Sequence, residues 1–290
     1  MKVLLTGVGG MVGRALKQYS ELVGDDVVAY DHETLDIANA DLVKAAVLSA
    51  RPDTVINCAA WTDVDGCELD PARSHAANAT GPENLAKASR EAGAGFVTIS
   101  TDYVFDGEKE GFYTQRDDPN PQSVYAKSKL EGERRSQLAY ARTIVVRAGF
   151  IFGPGGKNFL STVLDRAGRG ETTKAIGNAY GTPTYSRHLA ARLRELAQLD
   201  LPGIFHVGNA GNGASYEEFA RAALNLGGFE TENVETVDVN SLKRPAPRPR
   251  NSRLKCLISE AIGLPALPFW EDALKEFVGS NYYADRAGQR

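Results

Sequence analysis

Three features are scarce in this chain of 290 residues: cysteine, net charge and long apolar runs. Cys58, Cys67 and Cys256 form neither an even disulfide set nor a metal-type pair, so we expect a reducing compartment, the cytoplasm. A net charge of −4 argues against partners such as nucleic acid or an anionic membrane. No apolar run approaches the roughly 18 residues that a membrane-spanning helix needs. The predicted first strand begins at Lys2, which leaves no room for a signal peptide.

Spacing typical of metal ligands is also lacking. The four histidines are scattered along the chain. Asp63, Asp65, Glu68 and Asp70 are clustered but lack the glycine position of an EF-hand loop. Acidic side chains are stabilised at the start of a helix by its dipole, which explains the cluster without a metal. We therefore expect no metal site.

The chain does contain a regular alternation of short apolar runs with longer segments of helical period. Strands are predicted at 2–6, 26–30, 54–58, 95–100 and 143–148, and helices near 11–22, 39–50, 71–92 and 122–140. This alternation is typical of the α/β class with a doubly wound parallel sheet, the Rossmann arrangement. Glycine- and proline-rich breaks become frequent after residue 150, so we predict a Rossmann domain over 1–150 and a second, smaller lobe over 151–290.

The first predicted strand runs directly into Gly7, Gly10 and Gly13. Gly7 allows a tight turn, Gly10 lets the backbone approach a pyrophosphate, and Gly13 lets the following helix pack closely on the strand. The free N–H groups and the positive dipole end of that helix favour a phosphate. The spacing therefore predicts a dinucleotide site.

The second predicted strand ends in Asp31, at the position where an acid reaches the adenosine ribose. Its carboxylate would accept a hydrogen bond from the ribose 2′-OH and repel a 2′-phosphate, which favours NADH. Arg14 and His32 lie close enough in the sequence to soften that preference. The expected cofactor is NADH or NADPH.

Hydroxyl and carboxylate side chains follow the fourth predicted strand, in the run Ser100-Thr101-Asp102-Tyr103. Tyr125 and Lys129 are four residues apart and therefore lie on one face of a helix. A nearby ammonium lowers the pKa of a phenol, so Tyr125 can protonate a carbonyl oxygen whose carbon receives hydride. Thr101 would give the developing oxyanion a second hydrogen bond. These residues predict a carbonyl reductase.

Three signals in chain order resemble the extended short-chain dehydrogenase/reductase family: the glycine loop, the Ser-Thr-Asp-Tyr strand end and the Tyr-x-x-x-Lys helix. Further motifs resemble its dTDP-4-dehydrorhamnose reductase branch over nearly the whole chain. They lie at 57–65, 78–79, 100–105, 124–129, 157–159, 181–184 and 248–252.

This resemblance implies NAD(P)H-dependent reduction of the C4 ketone of a nucleotide-linked 6-deoxyhexose, dTDP-4-dehydro-L-rhamnose. It also implies that the second lobe binds the substrate, with parts near 181–200 returning to the Rossmann domain, and it leaves a homodimer open. The implied catalytic residues are Thr101, Tyr125 and Lys129. Cofactor contacts are implied for Gly7, Gly10, Met11, Val12, Asp31, Asp36, Ile37, Cys58, Ala59, Ala60, Tyr125 and Lys129. Substrate contacts are implied for Thr101, Asp102, Tyr103, Phe150, Arg248 and Arg250.

Arg248 and Arg250 belong to a basic, proline-rich run at 243–250 in an otherwise acidic chain. Arginine offers bidentate contacts that match phosphate oxygens. The run is either a clamp on the diphosphate of a nucleotide sugar or a solvated loop, and we favour the clamp.

The chain departs from the family pattern after the fifth predicted strand. Where the family usually has Arg-Thr-Ser-Trp, this chain has Arg147-Ala148-Gly149-Phe150, and Lys255 and His188 replace acids. A polar pair and a large indole are absent, so we expect a different sugar pocket. Two other interpretations stay open: a reductase of another nucleotide-linked keto-sugar, and a non-catalytic regulatory subunit resembling the β-subunit of methionine adenosyltransferase.

Overall fold

The computed structural model describes residues 1–156 and 158–279. Its strands are β1 (Lys2–Thr6), β2 (Asp26–Tyr30), β3 (Thr54–Asn57), β4 (Gly95–Thr101), β5 (Thr143–Ala148), β6 (Ile151–Phe152), β7 (Thr173–Ile176), β8 (Tyr180–Gly181), β9 (Thr184–Tyr185), β10 (Gly203–His206), β11 (Ala214–Ser215) and β12 (Val234–Val237). Lys157 of the 157–159 motif and residues 280–290 of the predicted second lobe lie outside this description.

The α-helices are α1 (Met11–Leu22), α2 (Ala40–Ala50), α3 (Val64–Leu69), α4 (Pro71–His75), α5 (Gly81–Ala92), α6 (Val124–Ala139), α7 (Phe159–Ala167), α8 (Ser186–Leu199), α9 (Tyr216–Leu226), α10 (Leu257–Ala261) and α11 (Trp270–Gly279). Short 3₁₀ turns lie at Asp102–Val104, Thr231–Asn233 and Val239–Ser241. Within the two described stretches, none of the helices has both the length and the apolar composition that crossing a membrane requires.

Six strands form one parallel sheet in the order β10-β5-β4-β3-β1-β2. After β2 the chain returns to the other side of β1 as β3, so the strand order reverses between β1 and β3. Ligands of open α/β sheets bind outside the carboxyl ends of the strands at such a reversal. The predicted α/β class with a doubly wound parallel sheet is confirmed, and the five predicted strands are present with ends that differ by at most one residue.

Both faces of this sheet are covered by helices. Val3 and Leu5 pack in the core that contains side chains of α1 and α8, whereas Leu4 packs in the core with α2 and α5. All three side chains are fully buried. Successive side chains of a strand point to opposite faces, so a continuous apolar run is what a strand covered on both sides requires.

A third hydrophobic core lies outside the sheet and is built largely from α7, α9 and α11. Phe152, Tyr185, Phe219 and Phe277 pack ring against ring within it. Helix α8 nevertheless packs on α1, and β10 pairs with β5, so this part of the later sequence belongs to the sheet. The division into domains at residue 150 stays a prediction.

The predicted helix 71–92 is three helical pieces in series, because a π-helical turn, Ala76–Thr80, joins α4 to α5. Helix α6 crosses this turn at Gly132, where an added Cβ would lie 2.1 Å from the carbonyl oxygen of Asn78. Asn78 donates to Ser128 Oγ on α6 at 3.1 Å. This close crossing fixes the position of α6 against the sheet.

We expect Gly132→Ala to lower the free energy of unfolding by roughly 1–3 kcal/mol, the usual cost of inserting a methyl group into a packed site. Chemical denaturation measures the change. Gly168→Ala is the control, because a Cβ there would lie 3.6 Å from the carbonyl oxygen of Leu164, an ordinary contact distance. Equal stability of the two variants would show that the crossing is not tight.

Candidate active site

Two of the three glycines at the end of β1 are required by the backbone. Gly7 has a φ of +74°, and an added Cβ would lie 2.5 Å from the amide nitrogen of Ala59. A Cβ at Gly13 would lie 2.2 Å from the carbonyl oxygen of Gly7, so α1 packs on β1 only with glycine there. These are the roles that the sequence predicts for Gly7 and Gly13.

Gly10 lies on the open side of the same loop. It is exposed, and a Cβ there would meet only the carbonyl oxygen of Gly7 at 3.4 Å. Helix α1 begins at Met11, and no side chain caps its first turn, so backbone N–H groups at Met11 and Val12 are available to a ligand. An exposed glycine next to an uncapped helix start fits the pyrophosphate of a dinucleotide.

The other proposed cofactor contacts lie near this loop. Cys58, Ala59 and Ala60 follow β3, beside Gly7, and are half-buried. Burial raises the pKa of the Cys58 thiol to about 12, so this side chain is a neutral thiol near neutral pH. Nδ2 of Asn158 lies 3.7 Å from the sulfur of Met11, which brings the start of α7 over the loop.

Asp31, Asp36 and Ile37, which follow β2, present different groups to a cofactor: two carboxylates and a backbone N–H. Asp31 Oδ1 accepts hydrogen bonds from the hydroxyl and the backbone N–H of Thr34, at 2.8 and 3.0 Å, and these bonds lower the pKa of Asp31. Asp36 is exposed, and its carboxylate accepts from a backbone N–H two residues on. Ile37 is 7% exposed and packs in the core, and its carbonyl oxygen accepts from Asn84 at 3.1 Å, which leaves its backbone N–H for a cofactor contact.

Thr101, Tyr125 and Lys129 are brought together by β4 and α6. Thr101 ends β4, and Ser123 caps α6 by accepting from the backbone N–H of Ala126 at 3.2 Å. The three predicted catalytic side chains are buried, and the Thr101 side chain lies near enough to the Tyr125 hydroxyl to lower its pKa, against the larger effect of burial. An acid for a carbonyl oxygen and a second hydroxyl therefore lie side by side.

The pKa of Tyr125 differs from the value that its pairing with Lys129 predicts from the sequence. Burial raises the pKa of Tyr125, whereas the sequence predicts a lowered one. Lys129 Nζ donates to the carbonyl oxygen of Ile99 at 2.7 Å, and burial lowers the pKa of Lys129 to about 8. The predicted lowering is wrong for this structure because burial of the phenol outweighs any effect of the ammonium.

A buried ion pair that the sequence analysis missed lies one helical turn beyond Lys129. Arg147 donates to both carboxylate oxygens of Glu133, at 3.0 and 2.7 Å, and Ser100 donates to the same carboxylate. Glu133 and Arg147 are each 3% exposed. The negative charge of Glu133 raises the pKa of Lys129 and partly opposes the larger effect of burial. The pair also ties α6 to β5.

The predicted substrate residues Asp102, Tyr103 and Phe150 line one small cavity, together with Tyr216. The rings of Tyr103 and Tyr125 are nearly perpendicular, with centroids 6.4 Å apart. Phe150 has a φ of +48° and packs against Tyr216 with centroids 4.4 Å apart. Sequence analysis missed Tyr216 because it lies far along the chain and in no recognisable motif.

The basic, proline-rich run at 243–250 lies against α3, where Arg248 forms an ion pair with Asp65. Arg248 donates to the two carboxylate oxygens of Asp65 at 2.8 and 2.9 Å, and this lowers the pKa of Asp65. The carbonyl oxygen of Arg250 accepts from the backbone N–H of Tyr180 at 2.8 Å. The diphosphate clamp stays a prediction, in which Arg248 would share its guanidinium between Asp65 and a phosphate.

The remaining acids of the cluster accept hydrogen bonds from the first backbone N–H groups of helices. Asp63 caps α3 and Asp70 caps α4, as the helix-dipole argument predicts. The carboxylate of Glu68 accepts from the backbone N–H of Val124 at 2.7 Å. In residues 1–156 and 158–279, no group of three or more His, Cys, Asp or Glu residues is arranged to hold a metal ion.

Residues 1–282 match the family described as RmlD substrate binding domain. The chain belongs to this family. It is 36% identical to a dTDP-4-dehydrorhamnose reductase of Mycolicibacterium smegmatis, over 96% of this chain and 85% of that relative. A relative from Streptomyces antibioticus, named a probable dTDP-4,6-dihydroxy-2-methyloxan-3-one 4-ketoreductase, is 34% identical over 95% of this chain and 94% of its own.

A solved dTDP-4-dehydrorhamnose reductase of Bacillus anthracis, in complex with NADP, has a TM-score of 0.93 to this structure. The two chains are 31% identical, and the match covers 97% of this chain and 100% of the other. The family that the motifs predict is therefore confirmed by sequence and by fold.

We expect Gly10→Ala to weaken NADPH binding at least about tenfold, or ~1.4 kcal/mol, without loss of stability. The added methyl group fits the protein but occupies the open side of the loop. Fluorescence titration and thermal denaturation measure the two quantities, with Gly168→Ala as control. An unchanged dissociation constant would mean that the pyrophosphate does not approach Gly10.

Proposed function

We propose that this chain is an NAD(P)H-dependent reductase of the C4 ketone of a nucleotide-linked 6-deoxyhexose, converting dTDP-4-dehydro-L-rhamnose to dTDP-L-rhamnose. The observation that carries the proposal is the buried Thr101–Tyr125 pair at the carboxyl edge of the sheet that also carries the glycine loop. The names of the relatives support the substrate, and the NADP complex of the solved relative supports the cofactor.

The bound nicotinamide cofactor would supply hydride to the carbonyl carbon. Tyr125 donates its hydroxyl proton to the carbonyl oxygen as negative charge develops there. Burial raises the pKa of Tyr125, so the phenol stays protonated through the neutral range, as an acid for reduction must. Lys129, with its pKa near 8, is mostly protonated at neutral pH and stabilises the phenolate that remains.

A second candidate substrate is another nucleotide-linked keto-sugar. Phe150, which lines the cavity, and Gly149, which lies against Asp102, favour it, because both side chains are smaller and less polar than those in the pattern typical of the family. The relative named as a 4-ketoreductase of a different sugar supports this breadth. The regulatory-subunit hypothesis has less support, since a non-catalytic chain has no need for the buried Thr101, Tyr125 and Lys129.

The cytoplasm is the proposed location. Its support is that Cys58, Cys67 and Cys256 are all free thiols, which suits a reducing compartment. A measurement of the molar mass of the protein in solution tests whether it forms the homodimer considered from the sequence.

We expect Tyr125→Phe to reduce kcat for the keto-sugar by about 10²–10⁴-fold while NAD(P)H binding is kept, because the variant lacks the proton donor. Absorbance of the reduced nicotinamide follows turnover with freshly made dTDP-4-keto-6-deoxy sugar. Tyr140→Phe, at the other end of α6, is the matched control and should stay within about twofold, the scale of effects away from the chemistry. An unaltered rate for Tyr125→Phe would remove the proposed acid.

We also expect the Asp31 carboxylate to weaken the use of NADPH relative to NADH, because it repels a 2′-phosphate. Asp31→Asn should shift the ratio of kcat/KM values toward NADPH by roughly tenfold, equivalent to ~1.4 kcal/mol. Asp26→Asn, at the other end of β2, is the control for the loss of one charge. A ratio that both variants leave unchanged would exclude Asp31 from coenzyme choice.

A further inference from the structure

The hydroxyl group of Thr101 has one proton and two possible acceptors for it, the carboxylate of Asp102 and the carbonyl oxygen of the substrate. In the structure, Thr101 Oγ1 donates to Asp102 Oδ1 at 3.1 Å and accepts from the backbone N–H of Tyr103 at 3.2 Å. A hydroxyl donates only once. While Asp102 is a carboxylate that holds this proton, Thr101 cannot donate to a substrate carbonyl oxygen. The observed bond therefore conflicts with the oxyanion role of Thr101.

The position of the Asp102 carboxyl group depends on Gly149. Asp102 is 3% exposed. A Cβ added at Gly149 would lie 2.0 Å from Cγ of Asp102 and 2.1–2.3 Å from its two oxygens. The side chain of Ser252 also lies near Asp102 and lowers the pKa of its carboxyl group, against the larger effect of burial. A larger residue at 149 could not be placed without moving this carboxyl group, so its present position depends on the glycine that departs from the family pattern.

Protonation of Asp102 is accessible near neutral pH. Burial raises the pKa of Asp102 to about 6, although hydrogen bonds from Ser252 and Thr101 oppose that rise. Tyr103, Tyr125 and Tyr216 face this region, and burial raises the pKa of each, so they stay neutral.

Other charged groups lie further out. The positive charge of Arg248 opposes the rise in the pKa of Tyr103 and of Tyr216, and the charge of Arg244 opposes that of Tyr216. Cys67 lies near Tyr125, and burial raises its pKa. Lys129 titrates near pH 8, separately from Asp102.

We propose that Asp102 is a positioning residue that determines, by its protonation state, where Thr101 sends its proton. A protonated carboxyl donates to Thr101 Oγ1, and Thr101 then donates to the keto oxygen of the sugar. An ionised Asp102 accepts the hydrogen bond from Thr101, so Thr101 can no longer donate to the keto oxygen. This inference rests on the proposed reductase function and adds a residue that acts through Thr101.

The test is the pH dependence of kcat/KM for reduction between pH 5 and 9. For the unmodified protein, kcat/KM should fall by about tenfold per pH unit above the pKa of Asp102, near 6. The total fall should approach the roughly 10²–10³-fold effect of losing one oxyanion donor.

Asp102→Asn should abolish this fall between pH 6 and 7.5. An asparagine keeps an oxygen for Ser252 and offers an N–H donor to Thr101 at every pH. The variant should therefore exceed the unmodified protein by roughly thirtyfold at pH 7.5, where about 3% of Asp102 carboxyl groups are protonated if the pKa is about 6. Asp106→Asn is the matched control, because Asp106 bonds to Tyr113 and Asn120 instead, and it should keep the original profile.

A lower rate of Asp102→Asn at every pH, with the fall near pH 6 retained, would overturn the proposal and make Asp102 a substrate contact or a structural residue. Gly149→Ala gives a second test, because it displaces the carboxyl group and should also remove the fall near pH 6. Retention of that fall in a folded Gly149→Ala protein would equally overturn the proposal.

An infrared titration of Asp102 separates this inference from the proposed function. Carboxyl difference spectra between the unmodified protein and Asp102→Asn, with ¹³C-labelled aspartate, follow protonation without turnover. Thr101→Val removes a donor to the carboxylate and should raise the pKa of Asp102 further. An Asp102 titration that Thr101→Val leaves unchanged would overturn the inference. Absence of NADH and NADPH oxidation by the unmodified protein with any nucleotide-linked 4-keto sugar, at any pH, would instead overturn the proposed function.

Discussion

Burial of ionisable groups at the carboxyl ends of β3 and β4 is the constraint on which the site depends. Burial raises the pKa values of Tyr125, Asp102 and Cys58 and lowers that of Lys129. Each shift favours the neutral form, because a charge is poorly solvated there. Such an environment keeps a phenol protonated and strengthens its hydrogen bonds to developing charge, which suits an acid for carbonyl reduction.

The fold and the cofactor loop could be predicted because their signals are local. A strand covered on both faces favours a run of apolar residues, and each of β1 to β5 contains a short run of this kind. Gly7 is required by its positive φ and Gly13 by its contact with Gly7, both within one strand–turn–helix unit, so their spacing alone identifies them. The pairing of Tyr125 with Lys129 follows from helical geometry in the same way.

The rest of the site depends on contacts between residues far apart in the chain. Glu133 meets Arg147 across two elements, and Arg248 meets Asp65 from the opposite end of the sequence. In neither ion pair does the separation along the sequence indicate which residue is the partner. Burial of Tyr125 is likewise a property of the assembled site, which is why the sequence predicts the wrong direction for its pKa. Gly149 is visible as a departure from the family pattern, but only the structure shows its contact with Asp102.

The central claim is that Tyr125, assisted by Thr101, protonates the C4 oxygen of the sugar. A crystal structure of the ternary complex with the nicotinamide cofactor and a nucleotide-linked 6-deoxy sugar tests it most directly. We expect the Tyr125 hydroxyl to lie within about 3.2 Å of the C4 oxygen, with Thr101 on the same oxygen in crystals kept at a pH where Asp102 is protonated. A complex in which the C4 oxygen contacts neither hydroxyl would contradict it.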